Sequence, residues 1–104
     1  MIYLEASLTL EHGKMNEFME IFEKEIVPES TKMNRILIGQ WRTSIGTLGE
    51  ITNLWSYEDL TAMQRFNEAR AKNPKLISAF ERLTALVSHE TLRLMVPTKA
   101  SPLK

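Results

Sequence analysis

An α+β fold of the split β-α-β type, with a four-stranded antiparallel sheet and helices on one face, is what this 104-residue sequence predicts. Three observations lead there. The hydrophobic period switches between two residues and about 3.6, in the order β-α-β-β-α-α-β. A short glycine-containing link joins the two middle strand segments, which marks a hairpin. Hydrophobic residues make up 43% and charged residues 25% of the chain, the mix of a globular domain large enough for one core.

Residues 1–10 set Ile2, Leu4, Ala6, Leu8 and Leu10 on one side and Tyr3, Glu5, Ser7 and Thr9 on the other. That alternation reads as a half-buried strand. Glu5 and the lack of a basic leader argue against a signal peptide. After Gly13, residues Met15, Phe18, Met19, Phe22 and Ile26 recur at helical spacing opposite Glu17, Glu20 and Lys24. The helix is expected to stop near Pro28. Residues 36–43 and 50–56 are strand-like, with turn residues at 44–49 between them. Ser56 with Asp59 three residues on resembles a capping box, opening a helix over about residues 57–72. Asn73-Pro74 restarts a helix, with Asn as cap and Pro at the first position. Leu76, Ile77, Phe80, Leu83 and Leu86 form its apolar stripe, and residues 89–96 alternate as a last strand. Residues 1–97 are read as one domain and 98–104 as a tail with two prolines nearby.

In this ferredoxin-like topology the strand order is 4-1-3-2. Ile2, Leu4, Ala6 and Leu8 are expected to face the helices, with Leu54, Leu92, Leu94 and Val96. The other face is then expected to carry Tyr3, Glu5, Leu37, Trp41, Ile51, Asn53, Trp55, His89, Arg93 and Met95. It is too apolar for water and too polar for a plain core, so a second copy of the chain is its expected cover.

Lysine plus arginine number 13, as do aspartate plus glutamate. Zero net charge argues against nonspecific nucleic-acid binding and against docking on anionic membranes. The chain has no cysteine, which excludes disulfides, thiolate nucleophiles and iron–sulfur sites. No apolar run nears a membrane span. A cytoplasmic protein is the expectation.

Residues 38–60, IGQWRTSIGTLGEITNLWSYEDL, resemble the NIPSNAP family. The hairpin G-x-W-x-T-x-I-G-x-L-x-E and the junction L-W-x-Y-x-D-L carry the likeness most specifically. Ile2-Tyr3, His12-Gly13-Lys14, Asn73-Pro74 and Ser101-Pro102 fit as well. The resemblance covers the chain as one repeat and implies a compact, bacterial-type member of the dimeric α/β-barrel superfamily. In such barrels two ferredoxin-like sheets pack face to face around a cavity. Related barrels include cofactor-free monooxygenases, dismutating enzymes, haem-handling enzymes and binding proteins. Similar proteins carry arginines in the helix after the L-W-x-Y-x-D-L junction. Here Met63 takes an early inward position while Arg65 and Arg70 lie elsewhere on that helix, a departure from the pattern an anion site built from those arginines would need.

The expected cavity residues are Tyr3, Trp41, Asn53, Trp55, His89 and Arg93. Glu5, Asn53 and Arg93 are the catalytic candidates, with Glu5 as general base and Arg93 and Asn53 holding an anionic or phenolic substrate. The structural alternatives are tryptophans packing a dimer core, Asn53 bonded to a neighbouring strand, and a Glu5–Arg93 salt bridge. Two histidines, His12 and His89, far apart in sequence, predict no metal site. No cofactor is predicted, though His89 is a conceivable haem ligand by analogy with related barrels. Three functions follow as expectations: a homodimeric barrel enclosing a small, mostly apolar ligand; a cofactor-independent oxygenase or isomerase acting on an aromatic or quinone-like compound; and an interaction scaffold without a cavity.

Overall fold

The computed structural model describes residues 1–104. Its strands are β1 (Ile2–Leu10), β2 (Ile36–Arg42), β3 (Glu50–Tyr57) and β4 (Val87–Met95). They form one antiparallel sheet in the order β2-β3-β1-β4, the order expected of a ferredoxin-like fold. Helices α1 (Met15–Ile21) and α2 (Val27–Lys32) are joined without a break by a π-helical segment (Phe22–Ile26). Helices α3 (Leu60–Ala71) and α4 (Pro74–Thr84) lie between β3 and β4 in the chain.

Local sequence accounts for most boundaries. Asn73 Oδ1 accepts hydrogen bonds from the amides of Lys75 and Leu76, and Pro74 sits at the start of α4, where its missing N–H costs nothing. Helix α3 starts later than the spacing of Ser56 and Asp59 predicts. Its cap is Asp59, whose carboxylate accepts from the Ala62 amide at 2.8 Å, while Ser56 remains in β3. The first helix also departs from expectation, because it passes Pro28 and ends at Lys32. The π segment intervenes just before the proline, with the Val27 amide bonded to the Phe22 carbonyl.

The end of α2 is a tight left-handed cap. Asn34 has φ of 61°, a conformation asparagine tolerates better than most residues. Its amide donates to Thr31 O and the Arg35 amide donates to Ser30 O, the Schellman pattern. This cap delivers Arg35 at the foot of β2.

The core lies between the sheet and the helices. Leu8 and Leu10 of β1 and Ile51, Trp55 and Tyr57 of β3 pack with Phe18, Phe22, Ile26, Phe66, Leu76 and Leu83. The pairing Leu4↔Trp55, Ala6↔Asn53 and Leu8↔Ile51 places these residues on one side of the sheet. This corrects the expected phase of β3. Ile51, Asn53 and Trp55 face the helices, whereas Leu54 pairs with Glu5 on the outer face. Strand β4 has the expected phase, with Leu92 opposite Ala6 and Leu94 opposite Leu4. The helices leave that edge open, so Leu92 and Leu94 are 60% and 43% exposed.

Candidate functional site

A cleft of about 670 Å3 opens between the inner face of the sheet and helices α3 and α4. Leu4, Ala6, Leu8, Asn53 and Trp55 floor it, Val87, Glu90 and Leu92 form the β4 side, and Met63, Asn67 and Arg70 come from α3. Ile77, Phe80, Glu81 and Thr84 of α4 close the opposite side. Fourteen of its twenty-one lining residues are hydrophobic, and its volume falls in the range of small-molecule sites.

Arg35 is the unusual member of the lining. It is only 7% exposed, yet no carboxylate lies within salt-bridge distance of it. Its guanidinium carbon sits 4.1 Å from the Trp55 ring centre, 4.8 Å from Phe66 and 5.9 Å from Tyr57. The aromatic faces attract the charge but accept none of its in-plane N–H groups conventionally, and Nε has no hydrogen-bond acceptor. Burial lowers the Arg35 pKa to about 10, against the pull of Tyr57 and Glu90 and with Arg70 adding repulsion. The group therefore stays charged at neutral pH. Burial also pushes the Tyr57 phenol up, partly countered by Arg35 beside it. Arg70, over the Phe80 ring at 4.8 Å, is the second guanidinium of the cleft and also lacks a salt bridge.

The residues singled out by sequence divide between two faces. Asn53 and Trp55 line the cleft. Asn53 Oδ1 accepts from Gln40 Nε2 of β2 at 2.8 Å, the neighbouring-strand bond weighed as its structural alternative. Tyr3, Glu5, Arg93 and His89 lie on the outer face in register with Ser56, Leu54, Glu5 and Thr9, respectively. Glu5, Asn53 and Arg93 therefore do not converge. Glu5 and Arg93 make the alternative salt bridge, with Arg93 Nη2 donating at 3.0 and 3.1 Å. The Arg93 side chain is 66% exposed. Trp41 pairs with Thr52 on the outer face, so the two tryptophans do not share a side. Trp55 is 1% and Trp41 56% exposed. Trp41 folds back over Gly39, where a Cβ would sit 2.5 Å from its ring.

His89 is exposed and outside the cleft lining. No group of three or more His, Cys, Asp and Glu residues is placed to hold a metal ion. No helix is long and apolar enough to cross a membrane. Arg35 was missed by sequence reasoning, and Arg70 was set aside. No sequence signal marks Arg35: it is the left-handed cap at Asn34 that turns it inward.

A NIPSNAP family model matches residues 3–102. The chain is 29% identical over 103 residues to Protein NipSnap homolog 2 of Danio rerio, covering 99% of this chain and 35% of that protein. It thus spans about a third of the length of that curated relative. A NIPSNAP family protein from Agrobacterium tumefaciens superposes with a TM-score of 0.91 at 26% identity, covering 99% of this chain and 98% of its own. A NIPSNAP domain protein from Burkholderia xenovorans gives 0.88 at 24% identity, covering 98% and 99%. An antibiotic biosynthesis monooxygenase gives 0.75 at 11% identity, covering 94% and 99%, a likeness of fold alone.

Proposed function

The chain belongs to the NIPSNAP family, and on that premise we propose that it is a homodimeric α/β-barrel protein of the cytoplasm whose protomers each enclose a small, mostly apolar ligand. The observation that carries the reading is the cleft of about 670 Å3 over Trp55, with most of its lining hydrophobic. A scaffold function without a cavity would leave that space, and the charged group buried in its wall, without a role.

The dimer rests on the outer face. Ile36, Ile38 and Trp41 on β2 are each more than two-fifths exposed, and no helix covers that side of the sheet. Burying a side chain of tryptophan size contributes a few kcal/mol at about 25 cal/mol per Å2. A second copy supplies the same face in return, as a two-fold interface requires.

The ligand claim is tested with N-phenyl-1-naphthylamine, a neutral probe that brightens in apolar sites. The Trp41→Phe protein leaves Trp55 as the sole tryptophan. Energy transfer from Trp55 to bound probe, lost in Ala71→Phe at the cleft wall, is the expected result. Absence of saturable binding overturns the ligand reading. Sedimentation at twice the 12.0 kDa of one chain, reverting to one chain in Trp41→Glu, supports the dimer. A single-chain species of the unaltered protein at micromolar concentration overturns it.

A further inference from the structure

An arginine that is almost wholly buried, in no salt bridge and part of a ligand-sized cleft leaves room for a counter-charge from outside the chain. We infer that the cleft is selective for an apolar monocarboxylate, with the carboxylate paired to Arg35 and the apolar body lying along Leu4, Leu92 and Ile77. The inference rests on the ligand-binding reading above and narrows it to a chemical class.

The guanidinium carbon lies over the rings of Trp55 and Phe66, at 4.1 and 4.8 Å from their centres. Neither ring offers its N–H groups a conventional acceptor, and the guanidinium fork is the geometry a carboxylate meets with two parallel hydrogen bonds. Nε has no acceptor within the chain, and a buried donor left unmade is costly. The charges of the lining also set the ligand's charge. Arg35 and Arg70 are opposed by Glu81 and Glu90 in the same cleft, and neither glutamate pairs with either arginine. Glu90 already exerts an electrostatic pull on Arg35, so the cleft suits one further negative charge at most, and a dianion would be repelled by both carboxylates. The hydrophobic majority of the lining, open at Leu92 and Ile77, suits an apolar body and leaves no comparable place for a second polar group.

Calorimetric titration of the purified protein with decanoate and with decan-1-ol at neutral pH tests this. Decanoate should bind about tenfold or more tightly than the alcohol, a ratio equal to about 1.4 kcal/mol. In Arg35→Met the acid should fall to the affinity of the alcohol, and the alcohol should be unaffected. Equal binding of acid and alcohol by the unaltered protein overturns the carboxylate inference but leaves the apolar cleft standing. Binding of neither overturns both. An acid preference that survives Arg35→Met overturns the role of Arg35. A second measurement needs no variant: carbon NMR of carboxyl-labelled decanoate should give a bound carboxyl pKa below that of the free acid. A raised value is the mark of an apolar pocket without a cation and would overturn the inference.

Discussion

Replacing Arg35 by methionine should stabilise the unliganded protein. Desolvation pushes the guanidinium down from its ordinary value to about 10, and one pKa unit corresponds to about 1.4 kcal/mol. The buried charge therefore costs the fold about 3 kcal/mol. Against this stand the contacts with Trp55 and Phe66 at 4.1 and 4.8 Å, each worth about 0.5–2 kcal/mol. Methionine has nearly the same reach, and its thioether regains about 0.3–1.5 kcal/mol against aromatic rings. The balance favours the variant by about 1 kcal/mol. For a domain of this size that is a rise of about 4–8 °C in Tm. Circular dichroism melts at one fixed protein concentration measure it, because association would otherwise shift Tm by mass action. A fall in Tm of similar size would refute the reasoning, since it would mean that aromatic stacking outweighs desolvation at this site.

Three further outcomes are expected. Gly49 has φ of +80° and room for a Cβ, the nearest atom being Leu10 O at 3.6 Å; Gly49→Val should thus cost about 1–2 kcal/mol through backbone strain, and an unchanged urea midpoint would refute this. Asn34→Val at φ 61° should cost a similar amount, about 1–2 kcal/mol, and weaken decanoate binding by misplacing Arg35; unfolding and titration curves matching the parent would refute it. Hydrogen bonds from Arg82 of α4 hold the Glu25 carboxyl below the usual carboxylate range, opposed by partial desolvation. The unfolded chain therefore takes up that proton first as pH falls, and stability is lost from the ordinary carboxylate range downward through the lower folded value; Glu25→Gln should flatten this acid limb, and an unaltered pH profile of Tm would show that the pair contributes nothing.

The strand order was legible because three of the strands advertise their period plainly. Residues Ile2 to Leu10 alternate without exception, and Asn73-Pro74 states its cap outright. The phase of β3 was not legible. Its inward row, Ile51, Asn53, Trp55 and Tyr57, contains an amide, while its outward row contains Leu54, so hydrophobicity alone divides the strand wrongly. Pairing with β1 decides the matter, and pairing is a tertiary fact. That single inversion moved the expected cavity from one face of the sheet to the other, keeping only Asn53 and Trp55. Arg35 was illegible for another reason. In the run Lys32-Met33-Asn34-Arg35 it resembles a solvated turn residue, and only the left-handed cap turns it inward.

The π-helical turn at Phe22–Ile26 makes the length of this helix a constraint separate from its composition. An α-helix advances about 100° per residue. The π turn takes one residue more, closing with the Val27 amide on the Phe22 carbonyl, so it absorbs a surplus residue that in plain α-helix would rotate everything beyond it by about that angle relative to Phe18 and Ile21. Without that absorption Ser30 would leave the interior, the cap at Asn34 would open in another direction, and Arg35 would be carried away from Trp55. Substitutions within Phe22–Ile26 should therefore have graded effects, set by the side chain lost. A one-residue deletion there should be absorbed as the turn reverts to α-helix, whereas a one-residue deletion in α2 should act as a frameshift in space: it would leave the hydrophobic content of the helix almost unaltered while uncoupling the front half of the fold from the cleft.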